Sequence, residues 1–114
     1  MQLWHNPRCS KSRAARALLD ERGVEVTERR YLDDPPTVGE LDAVLVALGK
    51  EPWEVARTGE PVARELGLAH LPLDRRAWLE VLVANPVLIE RPILVADDGR
   101  AAIGRPLEAL DHLL

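Results

Sequence analysis

Cysteine occurs once in this 114-residue chain, at Cys9, within the stretch HNPRCSKSR. A short apolar run ends at His5, and a helix-like run begins near Ser10, so the thiol sits where a strand hands over to a helix N-terminus. Unpaired helix amides, the positive end of the helix dipole and nearby cations all favour a thiolate over a thiol. Arg8, Lys11, Arg13 and His5 surround Cys9 in the sequence, which makes Cys9 a candidate nucleophile. A lone cysteine is commonly a small buried hydrophobe, but the flanking residues Pro7, Arg8, Ser10, Lys11 and Ser12 belong on a wet surface.

Having a single cysteine also restricts the chemistry. No intramolecular disulfide can form, and no Cys/His metal cluster can be assembled from Cys9 with the scattered His5, His70 and His112. No metal site is expected. A Cys9 that is modified in a reaction must be restored by a thiol from another molecule, in a compartment that keeps thiols reduced. No apolar run approaches the roughly 18 residues of a membrane span, and MQLWHNPRC has neither a basic leader nor a signal-type core. A cytoplasmic protein with no membrane partner is expected. The formal net charge of -4 argues against general nucleic-acid binding and confines any cationic site to a pocket.

The elements that must hold Cys9 can be read along the chain. Gln2 to His5 suits a strand, and Ser10 to Arg22 an Ala- and Leu-rich helix closed by Gly23. VEVTERRYL, from Val24 to Leu32, alternates as a second strand that Asp33, Asp34, Pro35 and Pro36 stop. Thr37 and Glu40 have the spacing of a capping box, opening a helix through Leu41, Val44, Leu45 and Leu48 that Gly49 ends. Pro52, Pro61 and Asp74 each head a further helical piece. After Asn85-Pro86, β-branched runs flank an Asp98-Gly99 hairpin signal, and Pro106 is placed to open a last helix through Leu107, Leu110 and Leu113. A βαβ unit makes parallel strands and a hairpin antiparallel ones. The fold class is therefore α/β: a thioredoxin/glutaredoxin-like four-stranded mixed sheet (βαβ…ββα) in one domain, 1–114. Residues 1–33 and 86–114 form its core and 34–85 a helical insertion.

Taken together and in order, HNPRCSKSR, PP-T-x-x-E-L, A-R-T-G-E, ELGL, NPVLIERPILV and IGRP closely resemble the glutaredoxin-coupled arsenate reductase (ArsC) family, in a short form without the C-terminal extension of longer members. Spx-type proteins are related. The resemblance implies that Cys9 is the nucleophile, that His5 assists thiolate formation, and that Arg57, Arg91 and Arg105 bind the oxyanion. Physical chemistry agrees, since guanidinium groups stay charged and meet a tetrahedral oxyanion with fixed, paired donors. The resemblance also favours a cis Arg91-Pro92 bond, which would aim the preceding backbone and side chain toward the Cys9 loop. Ser12, three residues after Cys9, either donates to the sulfur or caps the helix, and the cap is the favoured reading. Asn6 is placed to orient the loop. The other arginines read as solvated or ion-paired, although Arg8 and Arg13 add to the potential around Cys9. Trp4, Trp53 and Trp78 read as packing groups.

The activity that the resemblance implies is reduction of arsenate to arsenite through a covalent Cys9 thiol-arsenate intermediate. Glutathione is the co-substrate, glutaredoxin the reducing partner, and no bound cofactor is needed. Two alternatives share the fold. One is a thiol oxidoreductase acting on another oxyanion or on a glutathione mixed disulfide. The other is an Spx-like regulator that binds RNA polymerase, but such redox-sensing members typically carry C-x-x-C where this chain has Cys9-Ser10-Lys11-Ser12.

Overall fold

A computed structural model describes Met1–Leu114, which divide into two compact units, Met1–Asp34 with Arg91–Leu114 and Pro35–Glu90. The first contains β1 (Gln2–Trp4), α1 (Ser10–Glu21), β2 (Thr27–Arg29), β3 (Ile93–Val95), β4 (Ala101–Ile103) and a 3-10 segment, Leu107–Leu113. Its sheet has the order β2-β1-β3-β4. The pair β1/β2 is parallel, and β1/β3 and β3/β4 are antiparallel, as a βαβ crossover and a hairpin require. On one sheet face Leu3 and Leu94 stand opposite each other. They pack with Ala15 and Leu19 of α1 and with Leu110 and Leu113 of the terminal segment. Leu3, Leu19, Leu94 and Leu110 are wholly shielded from water. This core holds the first turn of α1 just past the end of β1.

Local signals account for the element ends. Arg22 closes α1 and Gly23 follows at φ 66°, a left-handed conformation that glycine adopts without steric cost. The hairpin turns at Gly99, with φ 93°. Two boundaries differ from the sequence reading. β2 is only three residues long, because Arg30 to Asp33 form a turn in which the Asp33 and Asp34 amides donate to the Arg30 carbonyl. The terminal segment is 3-10 rather than α, and Pro106 is its N-cap with extended ψ of 163°, not a first-turn residue.

The second unit contains α2 (Val38–Leu48), α3 (Pro61–Glu65) and α4 (Arg75–Ala84), with 3-10 turns at Pro52–Glu54, Leu68–His70 and Pro86–Leu88. Asn85-Pro86 therefore opens a helical turn rather than a returning strand. Ile89 bridges Ala56, so the helical unit runs on to Glu90. Asp74 caps α4 by accepting from the Ala77 amide, and Trp53 meets Trp78 edge to face at 6.2 Å. No helix of the protein is long and apolar enough to cross a membrane.

Candidate active site

The loop between β1 and α1 is tied to itself at every residue that matters. The Asn6 carbonyl accepts from the Cys9 amide at 3.0 Å, the Asn6 Oδ1 accepts from the Arg8 amide at 3.0 Å, and the Asn6 amide donates to the Ser12 hydroxyl at 3.3 Å. Arg13 reaches back to the Pro7 carbonyl at 3.1 Å. The turn fixes Cys9 as the N-cap of α1, in extended conformation (φ -95°, ψ 125°) and without a side-chain cap hydrogen bond.

Cys9 keeps only 9% of its surface exposed. Burial by itself would push the thiol pKa up. The backbone amides of Ser12 and Lys11, the Arg91 guanidinium as a hydrogen-bond donor and the Arg91 charge outweigh it and bring the thiol down to about 7. These amides are the first-turn donors that no residue of a helix can satisfy from within. Near neutral pH a substantial fraction of the sulfur is therefore ionised.

Arg105 adds a second guanidinium. Its Nη2 lies 3.8 Å from the Cys9 Sγ, and its Nε donates to the Arg91 carbonyl at 2.6 Å. The Arg91-Pro92 bond is cis, and the Pro92 carbonyl accepts from the Gly104 amide at 2.9 Å. A Cβ on Gly104 would stand 2.9 Å from the Pro92 Cγ, so only glycine lets the two segments carrying Arg91 and Arg105 approach this closely.

A buried, partly ionised thiol with two arginines on its sulfur has the charge and surroundings suited to nucleophilic attack on an anion. Residues 4–113 match the model of the ArsC family. The chain belongs to the ArsC family. It is 48% identical over its whole length to a protein of the glnII region of Streptomyces viridochromogenes, covering 98% of that protein. It is 44% identical to an arsenate reductase of Neisseria meningitidis serogroup A, covering all of this chain and 97% of the relative. Among solved structures, an arsenate reductase from Vibrio cholerae superposes with a TM-score of 0.92 at 38% identity, over 100% of this chain and 98% of that one. The thioredoxin-like sheet of this ArsC-family protein is thus shared with its structural relatives.

The other residues expected at the site have partners of their own. His5 is 5% exposed, and its pKa is lowered, chiefly by burial, with Glu28 opposing and Arg30 and Arg16 reinforcing the shift. Cys9 is not among its partners, nor is His5 among the groups that act on the sulfur. The charges that act on His5 lie on β2, just after it and on α1. Ser12 is neither cap nor surface residue. It is fully buried, its hydroxyl holds the Asn6 amide, and only its own amide serves the sulfur. The expected wet surface around Cys9 is thus confined to Pro7, Arg8, Ser10 and Lys11.

Arg57 belongs to the helical unit. There its Nη2 lies 2.6 Å from Glu60, its Nη1 donates to the Val87 carbonyl at 3.2 Å, and its amide donates to Leu88. The arginines read as structural are mostly ion-paired, Arg16 with Asp20 and Glu28, Arg22 with Asp111, and Arg76 with Glu80. Two features escaped the sequence. Gly104 looks like an ordinary turn glycine until Pro92 is seen against it. Arg105-Pro106 is a second cis bond, with no local signal beyond the proline itself.

Proposed function

We propose that the protein reduces arsenate to arsenite, with Cys9 as nucleophile and external thiols as the electron source. The observation that carries this reading is the convergence on one sulfur of two α1 amides and the guanidinium groups of Arg91 and Arg105, with the thiol at about 7. The choice of oxyanion rests on the family and on relatives that bear the name arsenate reductase.

The Cys9 thiolate attacks arsenic(V), a sulfur-arsenic bond forms, and one arsenate oxygen leaves as water. Arg91 and Arg105 hold the remaining oxygens and the charge that develops on them. Arg57 is the third arginine for this role on the resemblance alone. Glutathione then adds to the same arsenic as a second oxygen leaves as water. A glutaredoxin thiolate attacks the glutathione sulfur, forming a mixed disulfide. The electron pair of the broken sulfur-arsenic bond stays on arsenic, which becomes arsenic(III). Water releases arsenite and returns Cys9 as a thiol. Two thiols are oxidised and one arsenic is reduced, so the protein needs neither a second cysteine nor a cofactor of its own.

The test is NADPH oxidation in an assay coupled through glutathione and glutaredoxin. Turnover should require arsenate, glutathione and the protein, and should vanish in Cys9→Ser. Turnover that persists in Cys9→Ser would overturn the reading. Turnover of a glutathionylated substrate with none of arsenate would assign the same thiol to mixed-disulfide reduction instead.

A further inference from the structure

Beside the Cys9 loop, within the sheet unit, lies a cavity of about 350 Å³ lined by His5–Arg8 and by Arg30, Leu32 and Asp33. Its volume is at the small end of the range for ligand sites, roughly 300–1,000 Å³. Apart from Asn6, whose Oδ1 holds the Cys9 turn, none of its side chains enters the thiol chemistry above. Its charges are of both signs: Arg8 and Arg30 are cations, and Asp33 is a carboxylate. Leu32, 37% exposed, and Pro7 supply apolar wall. Only the backbone of Arg8 and of Asp33 is bonded within the fold, through the Asn6 Oδ1 and the Arg30 carbonyl. Arg30 lies 4.0 Å from Glu28, at the outer limit of an ion pair. His5 lines the same cavity, and its buried Nδ1 has no hydrogen-bond partner.

We propose that this cavity is a subsite for a zwitterionic amino-acid group, the γ-glutamyl end of the thiol co-substrate, with Arg8 and Arg30 on its carboxylate and Asp33 on its ammonium. The identity of the occupant rests on the thiol-dependent reaction proposed above. The charge pattern favours a zwitterion over an inorganic oxyanion, because Asp33 would repel a bare anion but pairs with an ammonium group. Reach agrees as well. Asn6, one of the lining residues, accepts through its carbonyl from the Cys9 amide at 3.0 Å, so the cavity borders the turn that carries Cys9. A cysteinyl thiol stands about two residue lengths, on the order of 7 Å, from the glutamyl head of the tripeptide. Seated here, the co-substrate would present its sulfur on the Cys9 side of the loop.

The experiment is calorimetric titration with S-methylglutathione, which cannot react, and with its N-acetylated form, which lacks the ammonium charge. Wild-type protein should bind the first about tenfold more tightly than the second. Asp33→Asn should abolish that preference, and Arg30→Glu should weaken both ligands. In the coupled assay both variants should raise the KM for glutathione and leave arsenate-dependent kcat and arsenate protection of Cys9 from alkylation unchanged. The inference is overturned if both variants bind S-methylglutathione as wild type does, or if they change arsenate affinity instead. Because titration needs no turnover, a protein inactive on arsenate that still shows the Asp33-dependent preference would refute the reaction and keep the subsite.

Discussion

Helices α1 and α2 begin in opposite ways, and the contrast separates a structural helix start from a functional one. In the helical unit, Thr37 accepts from the Glu40 amide at 3.1 Å, and the Glu40 carboxylate accepts from the Thr37 amide at 3.0 Å. The Glu40 amide in the first turn of α2 and the amide of its N-cap are both spent on the helix's own side chains. In the sheet unit, Cys9 stands at the same position with no side-chain cap, and the amides of Lys11 and Ser12 act on its sulfur. The donors that stabilise α2 are used at α1 to stabilise a negative charge. What separates the two is the N-cap atom: a threonine oxygen that never ionises, or a sulfur that does so near neutral pH.

Removing the sulfur should have the largest effect. Cys9→Ser puts a cap-forming oxygen at α1 and should reduce arsenate turnover to background, with little loss of stability on denaturant unfolding. Next come Arg91→Ala and Arg105→Ala. Each should lower kcat/KM roughly 10²–10³-fold, by analogy with the loss of one oriented donor at an anionic centre, and Arg91→Ala should move the thiol titration upward from about 7, read by thiolate absorbance. Wild-type activity in both variants would break the claim that α1 amides need guanidinium help.

The pH dependence sharpens the same point. The folded-state thiol value is depressed to about 7, so alkylation of Cys9 should accelerate as pH rises through about 7 and level off above it. The sign for stability follows. A depressed acid contributes fully above its unfolded value, and that contribution is lost as pH falls through about 7. Wild type should lose this increment between those values and Cys9→Ser should not, as measured by denaturant midpoints. The smallest effect belongs to α2, where Thr37→Ala should cost about 1 kcal/mol and leave the Cys9 titration where it is. A shift of that titration would show that the two helix starts are not independent.

Features set by neighbours in the chain were legible before any coordinates. The Thr37/Glu40 box, the glycines after α1 and α2, the Asp74 cap and the position of Cys9 between a strand and a helix follow from residues three or four apart. Roles that depend on burial were not. Ser12 reads as a cap because serines near helix starts usually are, but the fold buries it and turns its hydroxyl to Asn6. His5 sits four residues from Cys9, yet its electrostatic partners are Glu28 and Arg30, brought by the parallel pairing of β1 with β2, and Arg16 of α1.

What the chain determined alone is the supply of chemistry: one thiol, no internal partner to oxidise it against, and a helix start with spare amides. Tertiary structure decided which cations that thiol meets. Arg105 touches a sulfur 96 positions away, because β1 pairs with β3, β3 with β4, and Gly104 lets Pro92 approach. Local propensity depends on near neighbours, whereas a contact across nearly the whole chain exists only once the sheet has closed and buried its face.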